Sequence, residues 1–111
     1  MINKPDHRFI YELSSHMELH LGDSFYSSTL LAEDMGMSLP TLYNYMKSSL
    51  GLTPHVFMNN YKMNRALEML RKGMTIDEVC VQIGASAVSN FNRTFKQKFG
   101  VTPGKYRQIN A

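Results

Sequence analysis

Ser89, Asn92, Arg93 and Lys96 fall at i, i+3, i+4 and i+7 of a stretch running from Ser86 to Tyr106, and each side chain can donate hydrogen bonds. A helix lines those four positions along one face. The same stretch holds Phe91, Phe95 and Phe99 at i, i+4 and i+8, a second stripe that must be buried. The chemistry on offer is recognition without bond-making: hydroxyl, amide, guanidinium and ammonium donors held outward from an apolar anchor. A catalytic site is not legible. No nucleophile stands with a paired base, no Cys/His set has metal-ligand spacing, and there is no Gly-rich phosphate loop. Most polar helix faces are merely solvated, and this stretch by itself leaves that alternative open.

The elements that would position these donors occur twice. Subtracting 49 from the apolar positions gives Leu42, Met46 and Leu50, and from the polar ones Pro40, Tyr43, Asn44 and Lys47. Gly51, Thr53, Pro54 and Phe57 likewise answer Gly100, Thr102, Pro103 and Tyr106. Upstream the offset becomes 48: Ser27, Ala32, Gly36 and Ser38 answer Thr75, Cys80, Gly84 and Ser86, so the second copy carries one extra residue just after Ser86. Each copy reads as a short helix, a tight turn at Gly36 or Gly84, and a probe helix. That order is the helix-turn-helix, whose second helix enters the DNA major groove.

On these residues the chain resembles the DNA-binding region of the AraC/XylS family of bacterial transcription regulators, over roughly Arg8 to Gln108. The most specific matches are Phe91, Arg93, Phe95, Lys96, Phe99, Gly100, Thr102, Pro103 and Tyr106. The resemblance implies an all-α fold of about seven helices, in which a long helix links two helix-turn-helix subdomains that read adjacent major-groove segments. It implies that Ser89, Asn92 and Arg93 read bases in the second unit and Pro40, Tyr43 and Asn44 in the first. Lys96 and Lys47, with Ser86 and Ser38, then meet the DNA backbone. Asn can hold adenine through its amide, Arg suits guanine O6 and N7, and Tyr43 or Pro40 can pack on a thymine methyl. The chain departs from the family at Asn44, where an Arg is frequent, and at Ala85, where an aromatic usually follows the turn glycine. The second departure predicts a second turn that is less firmly packed.

Composition agrees with this class. In 111 residues, 43% hydrophobic content supports a modest core; the count of 9 Met with no Trp makes it a soft one. No signal peptide and no apolar run of membrane-spanning length is visible, which places the protein in the cytoplasm. The one cysteine, Cys80, lies in a helical apolar pattern and reads as a buried thiol. Residues 1–53 carry three Lys/Arg and six Asp/Glu, net −3, whereas residues 54–111 carry nine and three, net +6. From Arg93 onward five cations stand without an acid, which suits a surface facing phosphates; a basic surface kept for solubility is the alternative.

In chain order, Met1 to Pro5 reads as an arm and Asp6 as the cap of a helix to about Leu21, with Phe9, Leu13, Met17 and Leu21 inward and Gly22 as its stop. His16 and His20 have a metal-compatible spacing but no third ligand nearby, so solvated histidines are expected and no metal or cofactor is implied. Ser27 caps one support helix, while Thr75 with Glu78 forms a capping box on the other. Ala32 and Cys80 fall where support and probe helices would cross. Pro54 opens a helix to about Lys72 carrying Met63, Ala66, Leu67 and Leu70 as its stripe, with Gly73 as its stop. Its ~19 residues make a rod of roughly 28 Å, against roughly 34 Å between successive major-groove faces. The expected partition is 1–53, 54–72 and 73–111.

The expected function is sequence-specific binding of double-stranded DNA by a transcription regulator, most such family members being activators that contact RNA polymerase. No enzyme activity and no membrane partner is expected. A DNA-targeting module of a larger sensor or repair protein, and a helical protein-interaction domain, are the rivals. Most members carry an effector or dimerisation domain too large for 111 residues, so the chain is either a short stand-alone member or part of a longer one.

Overall fold

The computed structural model describes residues 7–110, so the arm and the Asp6 cap lie outside the described residues. Among them the chain forms seven helices and no strand: α1 (His7–Leu19), α2 (Ser28–Asp34), α3 (Leu39–Leu50), α4 (Pro54–Arg71), α5 (Ile76–Ile83), α6 (Val88–Phe99) and α7 (Pro103–Ile109). The fold is all-α, with a helix-turn-helix on either side of a long helix in sequence.

Starts and stops follow the local chemistry. Ser27, Ser38, Thr75 and Thr102 each accept a backbone N–H of the first turn on the side-chain oxygen, and the Thr75–Glu78 capping box is closed in both directions. Thr53 does the same for α4 by accepting from Val56 at 3.2 Å, which leaves Pro54 the position where no N–H is needed. Gly51 and Gly100 end α3 and α6 in left-handed conformations that an L side chain resists.

By packing, the chain forms two compact units: residues 7–20 with Phe25–Tyr61, and Leu21–Ser24 with residues 62–110. The partition at 53 and 72 treats the linker as a separate piece. In the structure the first part of α4 belongs to one unit and the part from Lys62 to the other. In the first unit Leu13, Met17, Tyr26, Leu31, Ala32, Leu42, Met46 and Met58 make the core, with Phe9 packed at its edge. The Tyr61 hydroxyl also ties α4 to α1 by donating to Glu18 at 2.6 Å. In the second unit Leu21, Met63, Ala66, Met69, Leu70, Val79, Cys80, Ile83, Phe91 and Phe95 are buried. Burial pushes the Cys80 thiol above its ordinary pKa, and the nearby Asp77 adds to the shift.

Two local expectations are corrected. His20 is only partly solvated: 34% of its side chain stays exposed, while its ring stacks on Tyr26 at 4.1 Å with Nε2 3.6 Å from the Asp34 carboxylate. The second turn is not loosely packed either. Both turns close with the same bond, Met37 N–H to the Ala32 carbonyl and Ala85 N–H to that of Cys80, each 2.9 Å. A Cβ on Gly84 would stand 3.0 Å from the backbone carbon and oxygen of Gly22 and 3.1 Å from the nitrogen of Ser24. Backbone of Gly22 and Ser24, from before the first repeat, thus packs closely against this turn at Gly84.

Candidate nucleic-acid interface

α3 and α6 are the two probe helices, and each is anchored by the stripe expected of it. Leu42 and Met46 are fully buried, as are Phe91 and Phe95 to within 2%. Leu50 and Phe99, at the last turn, are half-buried. Phe95 is the centre of the second anchor, with ring centroids at 5.7 Å to Phe91, 4.7 Å to Phe99 and 6.0 Å to Tyr106 of α7. The close aromatic contacts fix how α6 is rotated, and therefore which residues it shows.

On α3, Pro40, Tyr43, Asn44 and Lys47 are all exposed, Tyr43 at 44%. Ser38 is exposed at the N-cap, where its hydroxyl accepts from the Thr41 N–H and donates to the Thr41 hydroxyl at 2.8 Å. It is therefore partly committed to holding the helix start. Pro40, in the first turn, loses no hydrogen bond by lacking an N–H.

On α6, Ser89, Arg93 and Lys96 are exposed, but Asn92 is half-buried, and its amide oxygen has neither solvent contact nor a hydrogen-bond partner among the described residues. The angular arithmetic accounts for this. At ~100° per residue, Asn92 lies only about 60° from the middle of the Phe91/Phe95/Phe99 stripe, whereas Arg93 lies about 160° from it. The same flank position on α3 is held by Tyr43, which is long enough to reach outward. Asn90 lies about 140° from the stripe and is exposed. Its side-chain oxygen accepts from Nη2 of Arg93 at 2.6 Å. Reading the donors as an i, i+3, i+4, i+7 set passes over Asn90; measuring from the Phe stripe finds it.

Ser86 is exposed, yet it does not cap α6 as Ser38 caps α3. The extra residue of the second copy puts Ala87 at the N-cap, which has no side-chain hydrogen bond to the helix. The first N–H groups of α6 are therefore offered without a side-chain acceptor of their own. At the other end Lys96 and Lys98 lie in the last turn, where they complement the helix dipole. The Lys98 ammonium also sits 5.6 Å from the centre of the Phe99 ring. The geometry thus gives two anchored helices, each presenting polar side chains with one exposed lysine at the matching register, Lys47 or Lys96. Among the described residues no group of three His, Cys, Asp or Glu gathers as a metal site, and no helix is long and apolar enough to cross a membrane.

A family model described as a helix-turn-helix domain matches residues 31–109. The chain is 33% identical over 73 residues to the HTH-type transcriptional regulator MtrA of Neisseria gonorrhoeae, covering 65% of this chain and 24% of that protein. It is 28% identical over 97 residues to the HTH-type transcriptional activator RhaS of Escherichia coli, covering 86% of this chain and 34% of that one. The chain therefore spans between about a quarter and a third of the length of these relatives. A solved structure of a transcriptional regulator from Chromobacterium violaceum, described among AraC-type DNA-binding-domain-containing proteins, matches with a TM-score of 0.81 and 26% identity, over 91% of this chain and 90% of that one.

Proposed function

The chain belongs to the AraC-type helix-turn-helix family, as a DNA-binding domain of a transcription regulator, and from that premise we propose that one copy of it reads adjacent major-groove segments of a single DNA site with α3 and α6. The observation that carries the reading is the duplicated design: two helices of 12 residues, each anchored by a buried stripe and each showing a polar face that ends in a lysine. Pro40, Tyr43 and Asn44 read bases from α3, and Ser89, Asn92 and Arg93 from α6. Asn92, with its oxygen turned inward, offers only its amide N–H groups. Lys47, Lys96, Ser38 and Ser86 meet phosphates, and the open N-terminus of α6 suits the same partner. RhaS is named an activator, which supports activation through contact with RNA polymerase in the cytoplasm as this protein's role. The greater length of the relatives supports an effector or dimerisation domain in a longer parent chain.

The test is selection of bound sequences from a random DNA pool, followed by footprinting and a salt titration. The expected site is asymmetric, spans about two turns and is filled by one monomer. Replacing Lys96 or Lys47 by Ala should weaken binding to every sequence alike and flatten the plot of log K against log salt by roughly one unit. A palindrome bound only by two copies would refute the monomeric reading. Binding that ignores salt would favour a helical protein-interaction domain instead.

A further inference from the structure

Arg93 is not a lone reader on α6. Its Nη2 donates to the Asn90 side-chain oxygen over 2.6 Å, one turn back on the same helix, and both residues are exposed on the face opposite the Phe stripe. Because a guanidinium has donors only, the Asn90 amide must turn its oxygen toward Arg93 and its nitrogen away. Of the five guanidinium N–H groups one is then spent, and a complete two-donor edge remains. That edge is what guanine O6 and N7 require. An unheld arginine would have to freeze several rotamers on binding and could equally swing to a phosphate; one tied to its own helix has lost most of those choices beforehand.

We propose that Asn90 is a positioning residue for base readout: it fixes the Arg93 guanidinium as a guanine-selective fork and denies it the alternative of a phosphate contact. The proposal rests on the base-reading role of Arg93. In this arrangement Asn90 does not hold adenine as a free asparagine does, because its oxygen is engaged and its orientation set by Arg93. It presents its amide N–H groups to the acceptor edge of a neighbouring base pair.

The test uses the full chain and the selected site. Arg93→Ala first identifies the base pair at which guanine preference collapses. At that pair, Asn90→Ala should reduce discrimination against the other bases by about 5-fold, from the roughly 5- to 150-fold a good bidentate contact gives. It should steepen the salt slope by up to about one unit, because the released Arg93 can then swing to a phosphate. Asn90→Asp retains an acceptor for Nη2 and should keep the base preference while weakening overall affinity, its added negative charge opposing phosphate. In the Arg93→Ala background, Asn90→Ala should no longer change discrimination at that pair. If Asn90→Ala instead lowers affinity evenly across all sequences, or its effect persists without Arg93, the positioning role is overturned while DNA reading stands. If Arg93→Ala leaves every base preference intact, the assignment of Arg93 as a reader falls, and this proposal with it.

Discussion

Arg93 and Asn44 occupy the same position in the two repeats, and the chemistry of the two side chains ranks them. Arg93 brings a forked donor in the half of net charge +6, whereas Asn44 brings one amide in the half of net charge −3. Arg93→Ala should therefore cost more DNA affinity than Asn44→Ala, ~1–3 kcal/mol at its base pair, and relax preference in one half-site only. Titration of both variants at one salt concentration checks it, and an equal or larger loss from Asn44→Ala reverses the ranking. Neither should lose folded stability, because both side chains are exposed. Tyr26 makes the opposite prediction. Its hydroxyl donates to Asp34 at 2.6 Å, and burial, with that carboxylate, raises the phenol pKa well above its usual value. A folded-state pKa above the unfolded one gives stability that is present below the ordinary phenol range and lost as pH rises through and beyond it. Tyr26→Phe should cost ~1–2 kcal/mol at pH 7, and the gap to wild type should narrow above about pH 10 in urea melts. At this scale the sequence shows the types of the proposed reading residues but not their depth. Asn92 and Tyr43 share a flank position, and only side-chain length decides which emerges.

The helices themselves were largely legible, because periodicity and capping act within a few residues: Ser27, Thr75, Pro54 and Gly100 stand where the elements start or stop. α1 falls short of the expected end, closing at Leu19 with Leu21 still buried beyond it. The single extra residue after Ser86 was equally visible, but its consequence was not, since a cap depends on register to one residue. Ser86 stands one position too early and Ala87 occupies the cap. Ala87→Ser should restore what α3 has in Ser38 and stabilise the folded chain by ~0.5–1 kcal/mol in chemical denaturation. The N–H groups it satisfies are those open to a phosphate. The same variant should then gain no DNA affinity, and a parallel rise in affinity would mean that this end of α6 does not face the backbone.

Across the whole chain, the two glycines that turn support helix into probe helix are equivalent in sequence and unequal in surroundings. Among the described residues Gly36, at φ +72°, has nothing within 4 Å of a Cβ, whereas Gly84, at φ +67°, would press its Cβ on Gly22 and Ser24. Gly36→Ala should cost ~1–2 kcal/mol, the strain of a left-handed alanine. Gly84→Ala should cost about twice as much or more, and the difference measured by thermal or urea melts is the contact. The repeat suggests two modules laid end to end, and periodicity cannot reveal that the second borrows backbone from ahead of the first. Long-range packing is written in no local pattern. For a chain made from its N-terminus, this fixes an order of assembly. The first unit has all its residues once Tyr61 has emerged, but Gly22 and its neighbours, which belong to the second, must wait about 23 residues beyond that point, until α5 and the Gly84 turn exist to receive them.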